Sequence, residues 1–212
     1  MNLRIWLKLA AIVFILFIGC KNDPINPDNE TPFLLIDDFD DSNSVNIKGD
    51  SSLSFANLGG KISYSVVPVD PSSPPPVKGF AIKLDYDVRS QSNSHTGWGY
   101  LLQNYDTTRR FYVDPQALGL KIFSFWVKGE KGGERFVTKF ADTSEKTSQE
   151  LELKDALTPI TTSIQWQKVS FSLEKFKKDG FNFTQLKYFL IVFFNSNTPS
   201  TGIIFIDYIA FE

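Results

Sequence analysis

Acidic side chains cluster at Asp37, Asp38, Asp40 and Asp41, and a further acid, Asp207, stands in an apolar segment near the C-terminus. Alternation puts Asp207 on a face with Ile203, Phe205, Ile209 and Phe211, where an ionised carboxylate is costly unless paired or bound to a metal. Asp38 and Asp40 share one face of the segment that begins at Leu34. Calcium takes six to eight oxygens, which clustered carboxylates and backbone carbonyls supply. Backbone N–H groups or a sheet-edge position would satisfy Asp207 equally, leaving residues 37–41 as a solvated turn.

A second set of residues suits holding a sugar, by rings stacked on C–H faces and by amide or guanidinium groups on hydroxyls. In Gly97-Trp98-Gly99-Tyr100-Leu101-Leu102-Gln103, Trp98 and Tyr100 share one face, and Gln103 lies on the other with Leu101. Facing outward, Trp98 and Tyr100 make a stacking platform. Facing inward they are core, the commoner fate of strand aromatics, and Gly97 and Gly99 line a groove. Arg135 and Lys139 share a face opposite Phe136, Thr138 and Phe140. There they reach hydroxyls or an acidic sugar, or are simply solvated.

Catalytic sets are missing. One His and one Cys in 212 residues exclude His-cluster metal sites, Cys-based zinc sites and internal disulfides. His95 sits in the polar stretch Arg89 to Thr96, and no Gly-x-Ser-x-Gly elbow exists to partner it. Glu150 and Glu152 share a strand face but, with Leu151 and Leu153 opposite, read as an ordinary amphipathic strand rather than a glycosidase pair. Gly129 to Gly133 lacks the Gly-Lys-Ser/Thr ending of a phosphate loop and reads as a hairpin turn. A net charge of −2 argues against nucleic acid as a partner. The expectation is a protein that is not an enzyme.

The N-terminus reads as an address. Arg4 and Lys8 precede the apolar run Leu9 to Ile18, which is too short to span a bilayer as a helix. It ends at Gly19-Cys20, similar to a bacterial lipobox, in which the cysteine after the cleavage site is diacylated. Residues 1–19 are expected to be a lipoprotein signal peptide and 20–32 a lipidated Cys20 with a polar tether containing three prolines. That places the chain in the bacterial cell envelope, at the outer membrane.

From Phe33 onward, period-two alternation dominates and helical periodicity is nearly absent. Phe80, Ile82, Leu84, Tyr86 and Val88 make the clearest half-buried strand, and Ile62, Tyr64 and Val66 another. Further strands are expected at 52–57, 97–103, 119–128, 134–141, 149–153, 166–173, 185–194 and 202–211, with helical turns at 173–178 and 155–157. Tyr188 to Phe194, apolar on both faces, predicts a central strand covered on each side. The pattern is that of an all-β sandwich or jelly roll occupying 33–212.

Several phrases recur in order: Leu35-Ile36-Asp37-Asp38-Phe39-Asp40; Gly79-Phe80-Ala81-Ile82-Lys83-Leu84-Asp85-Tyr86-Asp87-Val88; Phe123-Ser124-Phe125-Trp126-Val127-Lys128-Gly129; Trp166-Gln167-Lys168-Val169-Ser170-Phe171-Ser172-Leu173; and Gly202-Ile203-Ile204-Phe205-Ile206-Asp207-Tyr208-Ile209. The series resembles the galactose-binding-like jelly roll of family 11 carbohydrate-binding modules and of complex-I-intermediate-associated domains. The resemblance implies an oligosaccharide or polysaccharide ligand and a structural calcium ion tying Asp40 to Asp207, with Asp38 as an addition. Trp126 and Trp166, inside these phrases, read as mainly structural. The same sandwich serves assembly proteins that bind a protein partner and, more rarely, glycosidases or lyases. These stand behind the glycan-binding expectation.

Overall fold

The computed structural model describes residues 33–102, 112–196 and 199–212. Eleven strands form from the alternating segments: β1 (Leu34–Asp37), β2 (Ser52–Asn57), β3 (Lys61–Pro68), β4 (Phe80–Asp87), β5 (His95–Leu101), β6 (Ile122–Gly129), β7 (Val137–Asp142), β8 (Leu151–Glu152), β9 (Gln167–Ser172), β10 (Leu186–Phe194) and β11 (Thr201–Phe211). Helical structure among the described residues is limited to 3₁₀ turns at Leu153–Asp155 and Leu173–Phe176.

The strands form two antiparallel sheets. The first runs β3-β4-β11-β6-β9, with β1 also paired to β11, and the second runs β2-β5-β10-β7-β8. Sequence neighbours such as β4 and β5 lie in different sheets, so the chain repeatedly crosses the sandwich. Phenylalanine fills the space between. Phe123 packs against Phe189, Phe211 and Phe140 at centroid separations of 4.7, 5.0 and 5.1 Å, joining β6 of one sheet to β10 and β7 of the other. Tyr86 stacks on Phe193 across the sheets at 3.9 Å.

The bulge in β11 determines where the acids meet. β4 pairs with β11 over Thr201–Ile206, and β1 pairs with it over Ile209–Phe211. Because β6 holds the other edge of β11, β4 and β1 meet end to end along the same edge. At the junction Tyr208 takes a left-handed φ of 49° and the register slips. Ile204 and Ile206 face the core before the slip and Ile209 and Phe211 after it. Asp207 therefore shares a face with Ile203 and Phe205 but not with Ile209 and Phe211; alternation alone does not register a bulge.

β10 is the centre of the second sheet and is buried along both of its faces, as expected. Phe189, Ile191 and Phe193 enter the core. Leu190 and Val192 point the other way and join Val137, Leu53, Phe55, Tyr188 and Phe194 in a separate cluster on the outer face. There the strand is covered by side chains of its own sheet.

Candidate functional site

The outer face of the second sheet can be followed strand by strand. One row across it reads Phe55, Gly97, Val192, Val137 and Glu152, and the next Leu53, Gly99, Leu190 and Lys139. Flanking rows carry Tyr188 on one side and His95 with Phe194 on the other. His95, from the polar stretch Arg89 to Thr96, begins β5 and lies between two rings, 6.4 Å from Phe55 and 5.9 Å from Phe194. The face thus grades from apolar at β2 and β10, where Phe55, Tyr188 and Phe194 supply the rings, to charged at β7 and β8.

The charged end is an ordered set of ion pairs. Arg135 Nη2 donates to Glu152 Oε2 at 2.8 Å, Lys154 Nζ to Glu152 Oε1 at 3.0 Å, and Lys139 Nζ to Glu150 Oε1 at 2.8 Å. The Arg135 hydrogen bond, seconded by Lys154, holds Glu152 below the usual carboxylate range. A glycosidase's general acid needs the opposite shift, so Glu152 does not suit that role. Arg135 and Lys139 accordingly lie on the outer face.

Trp98 and Tyr100 do not. Both are fully buried between the sheets, so neither is a stacking platform. They lie in T-shaped contact, and Phe39 stacks on Tyr100. The glycines beside them leave no room for a ligand either. A Cβ at Gly97 would stand 2.5 Å from the Phe55 ring and 2.7 Å from the Ile191 carbonyl oxygen, and one at Gly99 would run into the Phe189 carbonyl. Their smallness serves the chain's own close approach. Gln103, Cys20 and Arg109-Arg110 lie outside the described residues.

The residues missed by alternation are Leu53, Phe55, Tyr188, Leu190, Val192 and Phe194. The signal was present in Tyr188 to Phe194: a doubly apolar strand means either two covering layers or one core face and one apolar outer face. Trp126 and Trp166 lie half-buried on the outer face of the other sheet, where Lys128 Nζ stands 5.7 Å from the Trp166 ring and 5.1 Å from Phe205.

The acids meet at the β1–β4 junction. Asp207 is only 1% exposed, and its Oδ1 accepts the Tyr208 N–H at 2.7 Å. Burial pushes its carboxyl up to about 8, with Asp40 and Asp38 adding to the rise and a backbone hydrogen bond from Lys78 opposing it. Asp40 pairs with Lys78 at 3.4 Å, and Asp38 Oδ1 accepts the Asp40 N–H at 3.3 Å. A cation here would have Asp40, Asp38 and Asp207 as its side-chain ligands. The side-chain count is short, however, since no group of three or more acidic, His or Cys side chains among the described residues is arranged to hold a metal. Asp37 points the other way, accepting the Tyr100 hydroxyl and, at 2.8 Å, the Phe39 N–H. Burial raises its carboxyl to about 7 despite these two bonds.

A two-sheet antiparallel sandwich with an apolar, charge-rimmed outer sheet face defines the class of β-sandwich binding modules. Residues 39–212 match the family described as carbohydrate binding domain 30, and the chain belongs to that family. The fold is shared with the family 11 carbohydrate-binding module of the cellulosomal cellulase Lic26A-Cel5E of Clostridium thermocellum, at 15% identity, TM-score 0.56 and coverage of 86% of this chain and 95% of that one. A family 11 module from the same organism, in complex with a β-1,3-1,4-mixed-linked tetrasaccharide, matches at 15% identity and TM-score 0.56 over 86% and 96% of the two chains. The family 30 module of the C. thermocellum cellulase Cel9D-Cel44B gives 17% identity and TM-score 0.54 over 76% and 90%. These identities establish the jelly-roll fold alone. No curated protein matches the sequence.

Proposed function

We propose that the chain is a non-catalytic glycan-binding protein of the bacterial envelope that holds its ligand on the outer face of the second sheet. The observation that carries this reading is the graded face itself, with Phe55, Tyr188 and Phe194 to meet sugar C–H faces and Arg135 and Lys139 to meet hydroxyls. The family membership and the tetrasaccharide complex of the family 11 module support it. Affinity electrophoresis in gels containing mixed-linked β-1,3-1,4-glucan, β-1,3-glucan or β-1,2-glucan tests the reading. Retardation that Leu190→Asp abolishes is expected; unretarded migration on every glucan overturns it, and release of reducing ends overturns the non-catalytic part.

Calcium at Asp40 and Asp207, with Asp38 at its edge and backbone carbonyls completing the shell, would relieve the carboxylate repulsion there. A higher melting temperature in calcium than in chelator is expected, and no difference removes the ion from the reading. Lipid attachment at Cys20 is supported by Leu9 to Ile18 and Gly19-Cys20, and it would hold the domain at the outer membrane. Labelled palmitate should enter the protein in its host and fail to enter Cys20→Ser.

A further inference from the structure

At the β8 edge the outer face of the second sheet does not end but turns into a cleft. The space lies between residues 133–136, which lead into β7, and residues 152–161, which run from the end of β8, with a volume of about 340 Å³. Its apolar lining comes from Phe136, Leu153 and Ile160 and its polar lining from Arg135, Glu152 and Lys154. Phe136 and Leu153 are nearly fully buried, so the apolar floor belongs to the core and is rigid. Arg135 and Glu152 are the residues that close the charged end of the outer face. One apolar row, Phe55, Val192 and Val137, therefore leads across the strands directly to the cleft mouth at Glu152.

The polar wall is made of ion pairs at the cleft mouth. Each oxygen of Glu152 is taken by a different cation, Oε2 by Arg135 and Oε1 by Lys154. A guanidinium carries five N–H donors and an ammonium three, so this carboxylate orients both groups while leaving donors for other acceptors. Holding the two long side chains in advance lowers the ordering cost of a bound hydroxyl. An apolar floor beneath fixed donors matches a pyranose ring, with its C–H face on one side and its hydroxyls at the edge.

We propose that this cleft is a terminal subsite, and that a glycan crosses the strands from the Phe55 end toward β8 and seats a neutral sugar ring between Phe136, Ile160 and the Arg135–Glu152–Lys154 wall. At about 4.8 Å per strand, the five-stranded face spans about 19 Å before the cleft, so only a chain longer than this occupies the whole face and the subsite together. The inference rests on the reading of this face as the glycan surface, and the test separates the two. Arg135→Ala with Lys154→Ala removes the donors, and Ile160→Trp fills the space; melting curves establish that both variants fold.

Affinity electrophoresis in mixed-linked β-1,3-1,4-glucan and in β-1,2-glucan, with calorimetry on the mixed-linked tetrasaccharide and on longer oligosaccharides of the same linkage, gives the readout. A loss of about tenfold in affinity for the long chains, about 1.4 kcal/mol, with a smaller loss for the tetrasaccharide, is expected of both variants. Unchanged long-chain affinity in folded variants, while Leu190→Asp abolishes binding, overturns the terminal subsite and leaves the face. An equal loss for short and long chains overturns the crossing direction. Failure of the unmodified protein to bind any of these glucans overturns both readings.

Discussion

Asp37 and Asp207 lie on opposite sides of one short stretch of backbone. Asp37 and Phe39 turn inward to Tyr100, whereas Asp38 and Asp40 turn toward Asp207. Both buried carboxyls bind protons more tightly folded than unfolded, at about 7 and about 8 against about 3.9 for a free aspartate. Between the unfolded and folded values the native state holds more protons, so stability falls as pH rises through that window and levels off above it. In chelator, the melting temperature should drop steadily from pH 4 to pH 8. Asp37→Asn should flatten that slope, since the amide cannot ionise; a curve parallel to the unmodified protein's would assign the dependence elsewhere. The sequence showed the acids as a cluster but not their sorting. Sorting required strand β1 to end beside a bulge four-fifths of the chain away.

At the scale of elements, β5 and β10 carry the face. Where they pair, β5 carries Gly97 and Gly99, at which a Cβ would meet the Ile191 and Phe189 carbonyls of β10. Gly99→Ala would put a methyl against the Phe189 carbonyl, an unyielding backbone atom, and overpacking of this kind typically costs about 1–3 kcal/mol. Denaturant unfolding should show that loss with binding affinity retained in the folded fraction. Normal stability would mean that β5 can shift away from β10. The strands themselves were legible because a half-buried sheet imposes period two, and β2, β4, β9 and β10 fall where alternation puts them. Alternation could not say which face looks inward. Trp98 and Tyr100 are indistinguishable from a platform until β10 is seen to bring Phe189, Ile191 and Phe193 to the same side of the sheet.

At the scale of the whole molecule, the two outer faces differ in a way that a spectroscopic measurement reads directly. Trp98 lies in the core, and Trp126 and Trp166 on the outside of the first sheet, so none of these three indoles lies on the proposed glycan face. Saturation with a bound glucan should therefore leave tryptophan emission nearly unchanged. A strong blue shift or quench would move the ligand to the first sheet, beside Lys128 and Phe205.

The all-β class, the strand segments and the scarcity of His and Cys are legible in the chain before it folds. Each follows from local periodicity or composition, which one chain segment expresses without reference to another. Which aromatics are buried, which apolar strand face looks outward, and that Arg135 and Lys154 share one carboxylate emerge from the packed fold. Those features depend on sheet order and on a single bulge, set by packing between segments far apart in sequence, and no local pattern encodes them.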